Sequence, residues 1–126
     1  MRSSPLELLR IPVDEFKKFE LYLRIFFHNN LHNLIGGTMA TDDAAGAPEF
    51  FLHHAMIDKI WADWQSQSDK HKKAFFLNLT GTVLEATTNF KPGEFIDLNK
   101  QPGEVKVKYE ETTNATIVKN FLRGKI

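Results

Sequence analysis

Two histidines four residues apart, His28 and His32 in the segment HNNLH, and a second pair, His53-His54, some way further along constrain this chain more than any other feature. Residues i and i+4 of a helix lie one turn apart on the same face, so His28 and His32 aim two imidazoles at one point. A third imidazole from the next helix closes a three-nitrogen site. Such a donor set suits copper, zinc, iron or nickel and is too soft for calcium or magnesium. Neighbours on a helix diverge by about 100°, so His53 and His54 cannot both address one ion in the same way. One is a ligand and the other supports it. The zinc-protease signature carries a Glu directly after its first histidine as general base, whereas this chain has Asn29. An amide cannot take a proton from a metal-bound water, which argues against metalloprotease chemistry.

Apolar residues recur at threes and fours through Phe16, Phe19, Leu23, Phe26, Phe27, Leu31 and Leu34. That pattern predicts one amphipathic helix that begins with Asp14 as N-cap and ends at Gly36-Gly37. Residues 38–47 read as a loop, and Pro48 suits the first turn of a second helix running to about Gln65. Its buried stripe reads as Phe50, Phe51, His54, Ile57, Trp61 and Trp64. Residues 1–13, with Pro5 and Pro12, form a lead-in segment, residues 14–65 a pair of antiparallel helices, and residues 66–126 a tail. The tail pattern is weaker: an apolar patch at 74–77, turns at Gly81 and Pro92-Gly93, a short strand at 105–109 and a last helix over 113–123. The expected fold class is mainly α with a short irregular or β and helical C-terminal tail.

Composition narrows the partners. With 42% hydrophobic residues, eleven Phe and two Trp, 126 residues suffice for one cored domain. Sixteen basic side chains balance sixteen acidic ones without a basic block, so neither nucleic acid nor an anionic membrane is an expected partner. No apolar run approaches the ~20 residues that span a bilayer, and the chain reads as soluble. The absence of cysteine excludes disulfides, thiolate ligands and a cysteine nucleophile. Two sequons, at Asn78 and Asn114, are compatible with secretion as part of a longer precursor. His71, within a run of charged residues, reads as solvent-facing.

The segments HNNLHNLIGGTMA and PEFFLHHAMIDKIWADWQ together resemble the second copper-binding half, CuB, of the type-3 copper proteins, the family of tyrosinase, catechol oxidase and molluscan hemocyanin. The tail segment DLNKQPGEVKVKYEE is also similar to the stretch C-terminal to this motif in invertebrate tyrosinase-like proteins. The resemblance implies copper as the cofactor, with His28, His32 and His54 as ligands and His53 in support. Asp58, one turn after His54, is the candidate to accept that ring's other proton or to anchor the helix. The resemblance further implies that Asn29 and Glu20 hold a water that helps deprotonate phenols, and that Asn33 tunes phenol access. One departure is Ala47-Pro48, where the family usually has Asp-Pro; an N-cap lost to Ala costs about 1 kcal/mol.

The family places two coppers between six histidines inside a four-helix bundle, and this chain has five histidines and nothing resembling the first half, CuA. It ligates one of the two ions, so a companion CuA chain or a second copy of itself must supply the rest and cover the apolar stripe. The implied activity is oxidation of phenols or diphenols to quinones with dioxygen. Alternatives are hemocyanin-like oxygen binding, or a copper-binding structural module without catalysis.

Overall fold

In a computed structural model of the chain, residues 4–74 and 89–110 are described. They are mainly helical, and among them there is no strand. The chain divides into two compact units, Met1–Trp64 and Gln65–Ile126.

The first unit opens on a helix within the lead-in segment, α1 (Pro5–Leu9). Glu7 N–H donates to the Ser4 hydroxyl at 3.3 Å while Ser4 N–H donates to the Glu7 carboxylate at 2.9 Å, a reciprocal cap with proline in the first turn. Leu8 and Leu9 are buried by it. Asp14 does not cap the next helix as expected. Pro12 holds extended backbone, a 3-10 turn starts at Val13 with Asp14 inside it, and α2 (Phe16–Tyr22) comes next with no side-chain cap.

The helix expected to run unbroken to the glycines changes type twice. After α2 comes a π-helical segment, Leu23–Asn29, in which Asn30 N–H bonds to the Ile25 carbonyl five residues back, and then α3 (Asn30–Ile35). The change positions the site. In an unbroken α-helix, the nine steps from Phe19 to His28 turn through about 900°, which would put His28 roughly half a turn from Phe19. The wider π turns remove about a quarter turn of that, and bring the histidine face round toward the helix on which Phe19 packs.

Gly36 ends α3 at φ +69° and ψ −157°, backbone that only glycine adopts without strain. Two 3-10 turns, Gly37–Ala40 and Ala44–Gly46, then lead to α4 (Pro48–Gln65), which starts at its proline as expected. α4 runs antiparallel to the first helical run: its C-terminal end meets Phe16 and Phe19, and its N-terminal end meets His28 and His32. Phe19 and Trp64 are fully buried, and each contributes about 4–6 kcal/mol from the area that an aromatic ring removes from water. The Trp64 indole N–H also donates to the Ile11 carbonyl at 2.9 Å, tying the segment before α2 to α4.

The buried stripe of α4 is rotated from the expected one. Its buried members are His53, Ile60 and Trp64, whereas Phe51 is 65% exposed. Once Trp64 stacks on Phe19, residue 53 falls within about 20° of the same direction and residue 51 about 140° away. Phe51, Leu52 and Met56 are therefore left as an uncovered apolar face, 65%, 77% and 57% exposed.

In the second unit, α5 (Asp69–Lys73) is capped by Ser68, whose hydroxyl accepts from His71 N–H at 3.2 Å. Further 3-10 turns lie at Pro92–Phe95 and Pro102–Glu104. The strand expected at 105–109 is absent. The Pro102-Gly103 turn folds the chain back so that Val107 N–H reaches the Leu98 carbonyl at 2.7 Å and Gln101 N–H the Val105 carbonyl at 3.0 Å, with no ladder beyond these. Lys72 pairs with Asp97 at 3.0 Å. The expected terminal helix and both sequons lie outside the described residues. Among the described residues, no helix is long and apolar enough to cross a membrane.

Candidate metal centre

Four imidazoles share one volume where the π segment and α3 face α4. The Nε2 atoms of His28 and His32 lie 3.2 and 3.3 Å from the Nε2 of His54. Their outer nitrogens are committed elsewhere. His32 Nδ1–H donates to the Met39 carbonyl at 2.6 Å, and His28 Nδ1–H to the Asn29 side-chain oxygen at 2.8 Å. A carbonyl only accepts, so the proton of each ring sits on Nδ1 and the lone pair on Nε2, aimed inward.

Lone pairs at this separation repel unless a proton or a cation lies among them, and one proton on His54 serves one neighbour well at a time. An ion bound at about 2.0 Å with tetrahedral angles sets its ligand nitrogens about 3.3 Å apart. The observed spacing fits that geometry, and the donors fit a borderline transition metal.

His53 is the most enclosed of the four, 5% exposed, and its Nε2–H donates to the His28 carbonyl at 3.0 Å. Its Nδ1 is buried without a hydrogen-bond partner. One nitrogen each from His28, His32 and His53 also fall within 4.8 Å of one another. The His54 Nε2 lies closest to the Nε2 atoms of His28 and His32, whereas His53 has its Nε2 closed by the carbonyl and only its Nδ1 left to offer. Burial lowers the pKa of both His53 and His54, and the neighbouring imidazoles lower it further, which favours the neutral rings that a metal requires.

The remaining candidates spread around this cluster. The Asn29 side-chain oxygen accepts from the His28 ring. Glu20 instead accepts from Arg24 Nε at 2.6 Å, and its bond does not join it to Asn29. Asn33 and Asp58 are exposed on α3 and α4. Two participants are not evident from the sequence in these roles. Met39 contributes a backbone carbonyl, which leaves no trace in residue type. The Phe50 ring stacks on His54 at 3.9 Å with 24° between planes, and the signal for it is its spacing four residues before His54.

The description of the common central domain of tyrosinase matches residues 5–67. The chain belongs to the tyrosinase family. It is 40% identical over 67 residues to a tyrosinase of Streptomyces glaucescens, covering 52% of this chain and 23% of that protein. It is 38% identical over 87 residues to the tyrosinase HcTyr1 of a Hahella species, covering 68% and 16%, and 44% identical over 73 residues to hemocyanin 1 of Megathura crenulata, covering 54% and 2%. The chain thus spans less than a quarter of the length of these relatives. No solved structure matches it. Family membership makes this a type-3 copper protein, and its histidine cluster is positioned to bind a metal ion.

Proposed function

We propose that the chain forms the CuB half of a dinuclear copper oxidase that converts phenols or diphenols to quinones with dioxygen. His28, His32 and His54 are the ligands through Nε2, and one of the two coppers is held by this chain. A companion chain with a CuA half or a second copy of this chain supplies the other three imidazoles. The observation that carries the reading is the meeting of three Nε2 atoms at 3.2 and 3.3 Å with the outer protons of His28 and His32 turned away.

Copper, when bound, supplies the electron exchange with dioxygen; the protein's residues do the rest. The Asn29 and Met39 oxygens fix two ring tautomers, and the stacked Phe50 ring limits the swing of His54. Asn29 and Glu20 are assigned to phenol deprotonation, Glu20 acting once its carboxylate is drawn from Arg24 to a water. Asn33 is assigned to substrate approach and Asp58 to anchoring α4.

Metal content, assembly mass and catechol turnover on one copper-loaded sample test the reading. Two coppers per pair of chains with turnover support a homodimeric oxidase, and turnover that needs an added CuA chain supports the heterodimer. Reversible dioxygen uptake without turnover would favour a carrier, the reading to which the hemocyanin match points. A monomer with one copper and no activity in either setting overturns the oxidase.

A further inference from the structure

We propose that His53 is a positioning residue: by donating to the His28 carbonyl, it holds residues 23–29 in the π register and so sets the spacing of the metal-binding nitrogens. The inference rests on the reading of His28, His32 and His54 as the ligands.

Three observations converge on it. The first is the placement of the bond. His53 Nε2–H reaches, at 3.0 Å, the carbonyl of His28, a residue inside the π segment whose own imidazole lies in the cluster. The second is that His53 is buried and its other nitrogen has no hydrogen-bond partner. An apolar residue would fill this place without an unsatisfied atom, so the imidazole is held there for its one donor. The third is the ring itself, which lies near-parallel to His28 at 5.3 Å with 24° between planes, so ring and carbonyl of the same residue are gripped together.

The alternative to the π register is an unbroken α-helix, which would carry His28 and His32 away from α4 by about a quarter turn. Its carbonyls would turn with it, out of reach of His53. The bond is made in one register and lost in the other, and a contact with that asymmetry shifts the balance between two states. His53 therefore acts on the metal through the helix, without touching the ion.

Two measurements on the full chain decide the matter. In the metal-free protein, nitrogen NMR of the imidazoles should show His53 as the Nε2–H tautomer, and residues 23–29 should keep i to i−5 hydrogen bonds. Finding the proton on Nδ1 overturns the proposal without any substitution. Copper(II) alone is then titrated into wild type, His53→Phe and His53→Gln, with the nitrogen hyperfine pattern of the copper signal as the second readout. His53→Phe keeps an aromatic ring and loses the donor, and is expected to bind about 10–100-fold more weakly with the three-nitrogen pattern lost. His53→Gln restores a donor, and should recover the pattern with affinity within about threefold of wild type. Equal affinity and pattern in wild type and His53→Phe overturn the proposal. If wild type itself shows no three-nitrogen pattern, the ligand assignment fails, while the tautomer and the hydrogen bonds of residues 23–29 still judge the role of His53.

Discussion

Phe19 and Trp64 stack face to face, with ring centroids 4.4 Å apart and 17° between planes, and this pair fixes which side of α4 the first helical run meets. Trp64→Ala is expected to cost about 3–5 kcal/mol in urea unfolding, the range for a truncated core aromatic. Trp64→Phe keeps a ring and loses the bond to the Ile11 carbonyl, with a smaller loss of about 1–3 kcal/mol. A Trp64→Phe variant as stable as wild type would mean that the indole N–H contributes nothing.

Removing any one of the three converging imidazoles should weaken copper(II) binding beyond the roughly 10–100-fold typical of supporting contacts. Calorimetric titration of His28→Ala, His32→Ala and His54→Ala checks this, with His71→Ala, whose Nδ1 lies 2.7 Å from the Ser68 hydroxyl on α5, as the control that keeps wild-type affinity. Unchanged binding in His54→Ala would transfer the third ligand position to another residue.

Gly36 sits at φ +69° immediately before the turn that delivers the Met39 carbonyl to His32. Gly36→Ala has room for its methyl group, whose nearest neighbour would be the Asn33 carbonyl at 3.9 Å, so the strain is in the backbone alone. The expected loss is about 1–3 kcal/mol of stability, and metal affinity should fall with it as the carbonyl shifts. A stability loss with unchanged affinity would show that His32 does not depend on this turn.

In the metal-free chain, burial holds the pKa of His53 and His54 below the ordinary 6.5. Above that value both rings are neutral in the folded and unfolded states, and they add no pH dependence. Below it the unfolded chain binds protons that the folded chain resists, so stability falls as the pH drops from 6.5 toward the lowered values. Thermal melts should be flat on this account above neutrality and decline on the acid side. The double variant His53→Gln/His54→Gln should lose much of that slope; an identical slope would assign it to other groups.

The exposed side chains of Phe51, Leu52 and Met56 form an apolar face on α4 next to the histidines. If a second polypeptide completes the site there, Phe51→Ser/Leu52→Ser should lower the assembly mass in sedimentation and abolish turnover. One copper per chain should remain bound. Wild-type mass and turnover in that variant would place the partner on another face.

Much of this arrangement is legible in the sequence because helical periodicity reports which residues share a face. The shared face of His28 and His32 rests on it, and the start of α4 is legible from Pro48, whose fixed φ and missing N–H suit a first helical turn. The helix type does not. The threes and fours from Phe16 to Leu34 look continuous, and the only sign of a π segment is angular, since His28 lies nine positions after the anchor Phe19 and nine α-helical steps end on the wrong side. α1 is too short for any period to register. The alternation of valine and lysine at 105–108 describes a strand correctly in pattern, but a strand needs a neighbour to pair with, and the turn at Pro102-Gly103 supplies only a short fold-back.

The wide turns between Leu23 and Asn29 also bear on how such a chain tolerates a change in its length. Eight ordinary helical steps reach about the same angle as the nine steps that now run from Phe19 to His28. Deleting one residue from this stretch, which would ordinarily scramble every contact downstream, should instead relax it to a plain α-helix with both anchor points still aligned. The surplus residue reads as an insertion absorbed by a change of helical pitch.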